Sequence, residues 1–411
     1  MDGIYIVGIG MTSFGKHADR SLRDLTAEAV RRALADAGCD VSAIEAAWFG
    51  NVGQGAIEKQ HGVRGQIALA AAGLSGVPIT NVENACASAS TALNGAINFL
   101  RAGQGEVALA VGAEKMVVDD RARVAELFDG CWDVPHAQEN FLKLKDLGRE
   151  AVPAGADADT GPRTVFMDIY AALTRDHIRR FGTTPRQIAH VAAKNHFHST
   201  MNPLSQFRKD FSVDEVLGAR PIVWPLTLPM CSPISDGAAA AIVCTASALK
   251  RFDARRAVRV KASVLAAGRV RPVEAYDQHV CRLAAQRAYD EAGIGPEDIS
   301  VAEVHDASAF AEVLQSENLQ FCAIGDGGPL AESGATKLGG RIPINPSGGL
   351  ESRGHPIGAT GLAQVHELVT QLRHEAGSRQ VEDARFAIAE NGGGFLACEE
   401  AAACITILAR H

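Results

Sequence analysis

The sequence predicts an α/β protein built from two similar halves, and three observations lead to this prediction. The chain has 411 residues, more than the roughly 250–300 that one hydrophobic core usually serves, so we expect at least two packed units. Apolar residues make up 47% of the chain, aromatic residues only 5%, and glycines number 41, which favours small-residue α/β packing under tight turns. Finally, an alternation of apolar runs and amphipathic stretches occurs twice along the chain.

The first part of this repeat is a strand, a helix and a second strand. The helix of each copy ends in a similar sequence, ALADAG at 33–38 and AYDEAG at 288–293. In each copy the helix is flanked by apolar runs with the pattern of buried strands. The predicted elements of the first copy are strand Ile4–Ile9, helix Leu22–Gly38 and strand Ala46–Gly50, and those of the second are strand Val258–Ala267, helix Arg282–Gly293 and strand Ser300–His305.

The second part of the repeat is a loop of small residues that opens a long helix, followed by another strand. Aligning the segment STAL at 90–93 with ATGL at 359–362 places Cys86 opposite His355. Both residues therefore occupy the same point of the two copies, at a junction between loop and helix. The predicted elements are a helix to about Arg101 and strand Glu106–Gly112 in the first copy, and a helix to about His374 and strand Arg385–Glu390 in the second.

An insertion separates the two copies. Residues 118–233 are richer in charge and proline, and the pattern predicts helices at Thr164–Phe181 and Pro185–Phe197. The strand pattern returns at Ser235–Val243. We therefore predict an N-terminal half at residues 1–255 that carries the insertion as a loop domain over the site, and a C-terminal half at 256–411.

The bulk properties exclude several classes of function. The formal net charge of −8 makes a nucleic-acid binder an unfavourable interpretation. Apolar runs such as Ile67–Leu74 are far shorter than the ~18 residues needed to span a bilayer, so we expect no membrane segment. The first ten residues have the pattern of a strand and lack the basic region of a signal peptide.

The spacing of the cysteines and of the glycines argues against further kinds of site. Nine cysteines without CxxC spacing argue against a disulfide framework and against a structural zinc site. We therefore expect a reducing cytoplasmic location and no metal. The segment Gly8–Ser13 lacks the third glycine of a dinucleotide fingerprint, so no permanently bound nucleotide cofactor is expected.

Cys86 is the first candidate for chemistry. It lies in the loop Asn84-Ala-Cys-Ala-Ser directly before a predicted helix. Unpaired N–H groups and the partial positive charge of a helix N-terminus favour a thiolate, so we expect a lowered thiol pKa and a nucleophile. Most free cysteines are small core residues, but the repeat partner His355 favours the functional interpretation here.

Two histidines and a glycine run complete the candidate set. His355 lies in a loop dense in glycine and could take the proton of Cys86. His305 follows a predicted strand, where functional groups of α/β sheets often lie. Gly392–Gly394 follow the last predicted strand and could offer N–H groups to an oxyanion. Directly before Asn391, Glu390 would be costly to bury without a partner or a task.

These motifs, in this order, resemble the thiolase superfamily over nearly the whole chain. The loop Asn84–Ser88 resembles its nucleophile loop, and Asn345–Gly361 resembles its most specific signature. Lys194–Ser199 and Ser235–Ala239 resemble the sterol-carrier-protein-type thiolases in particular.

The resemblance implies a five-layer αβαβα fold and a coenzyme A-dependent activity. Cys86 would carry the acyl group and His355 would activate it. His305 and His355 would bind the thioester oxygen, while the N–H of Cys86 and a glycine N–H, from Gly393 or Gly394, would form a second oxyanion hole. The implied substrate and CoA contacts are Ser347, Gly348 and Asn391.

One departure from the family pattern concerns proton transfer. Thiolases carry a second cysteine that moves a proton at the substrate α-carbon, and its two known positions are occupied here by Glu390 and Ala307. We predict that Glu390 takes this role, because an enclosed carboxylate has a raised pKa suited to proton exchange near neutrality. Ser308 or a water molecule is the alternative.

With these departures, the chain resembles bacterial thiolases that act on bulky substrates, such as benzoylsuccinyl-CoA thiolase. The leading prediction is therefore cleavage of a bulky or aromatic 3-oxoacyl-CoA by CoA, through an acyl-Cys86. Alternatives are transfer of an acyl group to an aromatic carbon or another Claisen condensation, a retro-aldolase, and a non-catalytic subunit that binds acyl-CoA. The resemblance also implies a homodimer or dimer of dimers and a small zinc-ribbon/OB-fold partner.

Overall fold

A computed structural model describes residues 3–156, 161 and 163–411 of the chain. Residues 157–160 and 162 of the predicted insertion, and the first two residues of the predicted N-terminal segment, lie outside the described residues. The strands are β1 (Ile4–Met11), β2 (Ala46–Gly50), β3 (Ile79–Val82), β4 (Val107–Glu114), β5 (Pro221–Val223), β6 (Leu226–Thr227), β7 (Gly237–Thr245), β8 (Val258–Ala267), β9 (Val301–Glu303), β10 (Phe386–Gly393) and β11 (Ala402–Arg410).

The helices alternate with these strands as the sequence predicts. The first of them begins at a capping box between Ser21 and Asp24 and ends at Gly38, whose φ of 67° suits glycine. The helices are α1 (Leu22–Ala37), α2 (Gln54–Glu58), α3 (Arg64–Ala70), α4 (Ser88–Arg101), α5 (Arg121–Asp129), α6 (Ala137–Lys145), α7 (Val165–Phe181), α8 (Pro185–Thr200), α9 (Val213–Leu217), α10 (Val280–Ala292), α11 (Ala309–Asn318), α12 (Gly327–Glu332), α13 (Gly349–Arg353) and α14 (Thr360–Leu372).

The repeat is visible in the sheet topology. Strands are hydrogen-bonded in the order β3-β2-β4-β7-β1-β8-β11-β10-β9, and the two halves join where β1 and β8 pair over Ile4–Ile6. On the first side β2 and β4 are parallel and β7 is antiparallel to β4 and to β1. On the second side β9 and β10 are parallel and β11 is antiparallel to β10 and to β8. The two halves thus share one topology.

Helices cover the outer faces of this sheet, and two helices lie between its two halves. Buried residues of α4 and α14 share one apolar core with strands of both halves, as Leu93, Leu362 and Leu408 illustrate. Helix α1 packs on the outer face of the first half, and α10 packs on the outer face of the second. Helices on both faces of one mixed sheet, with two of them between its halves, confirm the predicted α/β class.

The insertion packs on the second half of the chain. Its predicted helices are confirmed as α7 and α8, and their apolar residues share a core with Phe310 and Val313 of α11 and with Phe395. The insertion therefore covers the edge of the sheet where β9 and β10 end. Among the described residues, no helix is both long and apolar enough to cross a membrane.

One predicted boundary near the end of the chain is wrong. The glycine run was expected after a strand ending at Glu390, but β10 continues to Gly393 because β11 pairs with it as far as Ala402.

Candidate active site

Cys86 lies on a tight turn two residues before the first residue of α4. The preceding Ala85 has a φ of +45°, a left-handed conformation that is strained for a residue with a Cβ. The turn is held by the N–H of Ala85, which donates to Glu83 Oε1 at 2.6 Å, and by the N–H of Asn84, which donates to Ser88 Oγ at 2.9 Å. The turn that carries Cys86 is therefore held in a fixed conformation before α4 begins.

The fold brings Cys86, His305 and His355 together. The Cys86 sulfur and one nitrogen of each histidine all lie within 4.8 Å of one another. The two imidazole rings meet edge to face, with centroids 5.2 Å apart. Both histidines are buried, and Cys86 is partly accessible. A nucleophile and two imidazoles therefore share one enclosed space.

Hydrogen bonds fix the tautomer of His355. The Thr360 hydroxyl donates to the carbonyl of Pro356 at 3.1 Å, so its oxygen accepts from His355 Nδ1–H at 2.8 Å. The lone pair of Nε2 is then free to accept the Cys86 proton. Burial, with smaller contributions from His305 and Arg353, holds the pKa of His355 well below its usual range, so the imidazole is a neutral base at rest.

His305 has the opposite character, because neither of its ring nitrogens has a partner. Both Nδ1 and Nε2 are buried without a hydrogen bond among the described residues. Burial lowers the pKa of His305 to about 4, so the ring is neutral and carries one N–H to donate. Unpaired buried polar atoms are rare in folded proteins and point to a ligand. An oxygen of a bound thioester would fill this need.

The resting state of Cys86 differs from the sequence prediction. We expected the helix N-terminus to lower the thiol pKa, but burial, together with the nearby Cys131 thiol, raises the pKa of Cys86 well above its usual value. The backbone N–H groups of Gly394 and of Cys86 itself act in the lowering direction. The physical reason is that desolvation outweighs these dipoles. The cysteine therefore rests as a thiol, and a base is required to form the thiolate.

Glu390 lies in β10 behind His305, and it is fully buried. Its Oε2 accepts the backbone N–H of His305 at 2.9 Å, and its Oε1 accepts the thiol of Cys281 at 3.3 Å. Burial, followed by the neighbouring Glu400, raises the pKa of Glu390 to about 8. The carboxyl is thus mostly protonated at neutral pH, and it directly supports the loop that carries His305.

The other predicted residues are held by protein contacts. Ser347 Oγ donates to Glu303 Oε2 at 2.8 Å, and Asn391 Oδ1 accepts from Ser90 Oγ at 2.7 Å. A Cβ on Gly348 would lie 2.5 Å from that of Ser199. All three positions are buried. Their role as contacts of CoA stays a prediction, as does the alternative role of Ser308, whose buried Oγ has no partner among the described residues.

Gly393 joins β10 to the nucleophile loop, and it offers a structural test of this close approach. A Cβ at this position would lie 2.1 Å from the carbonyl oxygen of Asn84 and 2.7 Å from the nitrogen of Ala87. We expect Gly393→Ala to destabilise the protein by about 1–3 kcal/mol and to lower turnover by displacing Cys86. Denaturant unfolding and initial rates would check this, with Gly62→Ala as the control because nothing lies within 4 Å of its added Cβ. Equal stability of both variants would contradict the account.

Sequence reasoning missed the residues that surround Glu390. Cys281 is the second residue of α10, Glu400 lies just before β11, and Tyr170 lies in α7 of the insertion. After burial, the groups that raise the pKa of Tyr170 are Glu400, Cys86, Glu390 and Cys281, so its hydroxyl lies among them. No spacing in the sequence links these positions, and only the tertiary fold could reveal them.

Four aromatic side chains form a wall beside the space that holds Cys86, His305 and His355. The rings of Phe128, Phe166, Phe395 and Tyr170 follow one another, with centroids 6.2, 5.9 and 5.6 Å apart. Phe395 directly follows the glycine run, and the other three come from the insertion. The wall therefore connects the insertion to the nucleophile side of the site.

Comparison with known families identifies this arrangement. Residues 4–247 match the model of the thiolase N-terminal domain, and residues 271–410 match that of the thiolase C-terminal domain-like family. The chain belongs to the thiolase family. It is accordingly an acyl-CoA acyltransferase that uses coenzyme A as a substrate and needs no permanently bound cofactor.

Curated relatives match almost the whole chain. An acetyl-CoA acetyltransferase of Methanothermobacter thermautotrophicus is 38% identical over 96% of this chain and 97% of its own length. Sterol carrier protein 2 of Oryctolagus cuniculus is 37% identical over 95% of this chain and 70% of its own length. The benzoylsuccinyl-CoA thiolase subunit BbsB of Thauera aromatica is 32% identical over 92% of this chain and 91% of its own length.

Solved structures share the fold at low sequence identity. An Ltp2–ChsH2(DUF35) aldolase superposes with a TM-score of 0.76 at 22% identity, covering 98% of this chain and 97% of that one. The Acat5 thiolase from Ascaris suum in complex with coenzyme A superposes with a TM-score of 0.67 at 16% identity over the full length of both chains. These likenesses show the thiolase fold alone.

Proposed function

We propose that this thiolase cleaves a 3-oxoacyl-CoA with free CoA, through an acyl group carried on Cys86. The observation that carries the proposal is the cluster of Cys86, His305 and His355 within 4.8 Å, in which one histidine presents a bare nitrogen and the other an unpartnered N–H. These are a base for the thiol and a donor for a thioester oxygen.

The first half of the reaction loads Cys86. His355 Nε2 takes the thiol proton, and the sulfur attacks the ketone carbon of the substrate. The N–H groups of Cys86 and Gly394, both close to the sulfur, are suited to hold the oxygen that becomes negative. The bond between the ketone carbon and the α-carbon then breaks, and the electron pair passes to the departing thioester enolate, whose oxygen His305 and His355 would bind.

The second half needs an acid and then a base, and we propose Glu390 for both. Its protonated carboxyl gives a proton to the α-carbon of the enolate, which leaves as the shorter acyl-CoA. The carboxylate that results takes the proton of the incoming CoA thiol, whose sulfur attacks the acyl group on Cys86. Cys86 leaves as a thiolate and recovers its proton from His355, so Glu390 and the thiol both return to their starting state.

The pH dependence of kcat/KM should report Glu390. The free enzyme needs the protonated acid, and the pKa of Glu390 is raised to about 8. Activity is therefore expected to be preserved as pH rises from 6 to about 7 and to fall above about pH 8, where the carboxyl loses the proton that it must give. A pH profile of the wild type beside Glu390→Gln checks this. A basic limb near pH 8 that survives in the variant would show that another group titrates.

The aromatic wall supports a bulky or aromatic acyl group as the substrate. Rings of Phe128, Phe166, Phe395 and Tyr170 adjoin the site, and edge-to-face contacts with an aryl group are favourable. Ala307, whose side chain is small, belongs to the same apolar cluster as Tyr170 and Phe395. The sequence identity of 32% to BbsB, a benzoylsuccinyl-CoA thiolase subunit by name, also supports an aromatic substrate.

The residues of the same site bear on three alternative functions. Acyl transfer to an aromatic carbon, or another Claisen condensation, would use the same acyl-Cys86. A retro-aldolase does not need the Cys86–His355 pair, which is intact here. A non-catalytic subunit that only binds acyl-CoA would not need a fixed His355 tautomer beside Cys86.

The setting of the enzyme is also part of the proposal. We propose a homodimer or dimer of dimers, and a small partner subunit of the zinc-ribbon/OB-fold type. The subunit name of BbsB and the aldolase with a DUF35 protein support a complex of several chains. All nine cysteines are free thiols, which supports a reducing compartment such as the cytoplasm.

Product analysis tests the proposed reaction. The purified chain is incubated with CoA and either benzoylacetyl-CoA or acetoacetyl-CoA, and the products are identified by mass spectrometry. We expect CoA-dependent formation of benzoyl-CoA and acetyl-CoA, with a higher kcat/KM for the aryl substrate. Absence of cleavage of either substrate, with and without a co-purified partner, would favour the non-catalytic alternative.

A further inference from the structure

A second buried cluster lies behind Glu390. One ligand-type atom from each of His279, Cys281 and Glu400 lies within 4.8 Å of the other two, and all three residues are buried. His279 Nε2 lies 3.2 Å from Glu400 Oε2, and Cys281 donates to Glu390 at 3.3 Å. The cluster thus contacts the proposed proton carrier directly, through a residue that the reaction scheme does not use.

The backbone of β10 is shaped to admit Glu400. Gly392 follows Glu390 by two positions, so both face the same side of the strand. A Cβ on Gly392 would lie 2.6 Å from Glu400 Cγ. A side chain at position 392 would therefore displace the side chain of Glu400. Glu400 Oε1 accepts a hydrogen bond from Gln315 at 3.0 Å, while the buried Oε2 has His279 Nε2 as its electrostatic neighbour at 3.2 Å.

The cluster handles protons better than it would hold a metal ion. His279 Nδ1 accepts the backbone N–H of Cys281 at 3.3 Å and faces the Asn318 amide at 3.2 Å. The neutral ring therefore carries its proton on Nε2, the nitrogen that points to Glu400. A protonated nitrogen cannot ligate a metal, and burial lowers the pKa of His279 to about 3, so the ring stays neutral and presents an N–H.

We propose that Cys281 and Glu400 are opposed positioning residues for Glu390, with His279 orienting Glu400. The Cys281 thiol stabilises the carboxylate by donating to it, and it can accept from the carboxylic acid once Glu390 is protonated. Glu400 disfavours the carboxylate, because two negative charges in an apolar space repel each other. The balance keeps Glu390 an acid in the free enzyme and lets it become a base after the enolate is protonated. This inference rests on the proposed role of Glu390.

The surroundings of Glu390 contain few other charges. Among the described residues, Glu400 itself is faced by Glu399 and Arg271, which form a buried ion pair with each other. The titratable groups that face Glu390 from the packed elements are His305 after β9, Cys281 of α10, Tyr170 of α7, Cys404 of β11 and Glu400.

Opposite shifts of the pH profile test the proposal. Glu400→Gln removes the repelling charge, so the basic limb of kcat/KM should move to lower pH by about 1 unit. Cys281→Ala removes the donor, so the limb should move to higher pH by about 0.5 unit. Cys244→Ala, a buried thiol in β7 of the other half, is the matched control and should leave the limb in place. Merely structural damage would lower the rates without moving the limb in two directions.

Two outcomes separate this inference from the proposed function. If the limb disappears in Glu390→Gln but stays at the wild-type pH in Glu400→Gln and Cys281→Ala, or moves in the same direction in both, the positioning role is wrong and Glu390 remains the proton carrier. If the limb persists in Glu390→Gln, the role of Glu390 fails first. Should Glu400→Gln not fold, the upward shift in Cys281→Ala decides the question by itself.

Discussion

Cys86→Ala is expected to lower kcat for cleavage of a 3-oxoacyl-CoA by about 10⁴-fold or more, the largest effect of any substitution in the chain. In the proposed reaction the sulfur holds the acyl group between the two half-reactions, and no second thiol among the described residues belongs to the cluster with His305 and His355. Removing it also removes the group whose proton His355 would take. Initial rates of CoA-dependent cleavage, measured at saturating substrate, give the comparison.

The control for this variant is a second thiol near the first. Cys131 lies close enough to affect the titration of Cys86, but its thiol donates to the Leu127 carbonyl at 3.4 Å. Cys131→Ala should therefore retain turnover within a few-fold of the wild type. Loss of activity in Cys131→Ala together with retention in Cys86→Ala would move the nucleophile to the insertion and contradict the account.

Glu390→Gln is expected to lower kcat by about 10²–10⁴-fold while Cys86 still accepts an acyl group from a simple thioester. The amide has nearly the size of the carboxyl, and it can still accept the N–H of His305 through its oxygen. What it cannot do is exchange a proton with the α-carbon. The defect should therefore concern carbon–carbon cleavage and leave the geometry of the nucleophile intact.

Separate assays of the two partial reactions distinguish these effects. Acylation by benzoyl-CoA is followed by release of free CoA, and carbon-acid chemistry is followed by exchange of deuterium from solvent into the α-carbon of acetyl-CoA. Glu390→Gln should retain the first and lose the second. A variant that turns over at nearly the wild-type rate while acylating normally would exclude Glu390 as the proton carrier and leave Ser308 or water.

The sequence could predict the parts of the site that repeat. The limits of β2 and β8 match the prediction, because β2 is a short apolar run and β8 begins with alternating apolar and charged residues. The pairing of Cys86 with His355 was also accessible, since two copies of one topology place equivalent loops at the same point between the central helices. The internal symmetry thus makes neighbours of two residues that lie far apart in the chain.

Other features could not be predicted because they depend on tertiary packing. The extension of β10 through Gly393 comes from its pairing with β11, and glycines carry no periodic signal. The raised pKa of Cys86 results from desolvation of the thiol in the folded chain, which a helix N-terminus in isolation does not reveal. Cys281, Glu400 and Tyr170 converge on Glu390 from three separate segments, and neither a motif nor a fixed spacing marks any of them.

The central claim is that Cys86 carries the acyl group, and intact-protein mass spectrometry tests it most directly. The chain is incubated with acetyl-, succinyl- and benzoyl-CoA without free CoA, quenched in acid and weighed. The account predicts a single acyl adduct that is absent in Cys86→Ala, retained in Cys131→Ala and removed by added CoA. An adduct of equal yield in Cys86→Ala, or none with any thioester in the wild type, would contradict it.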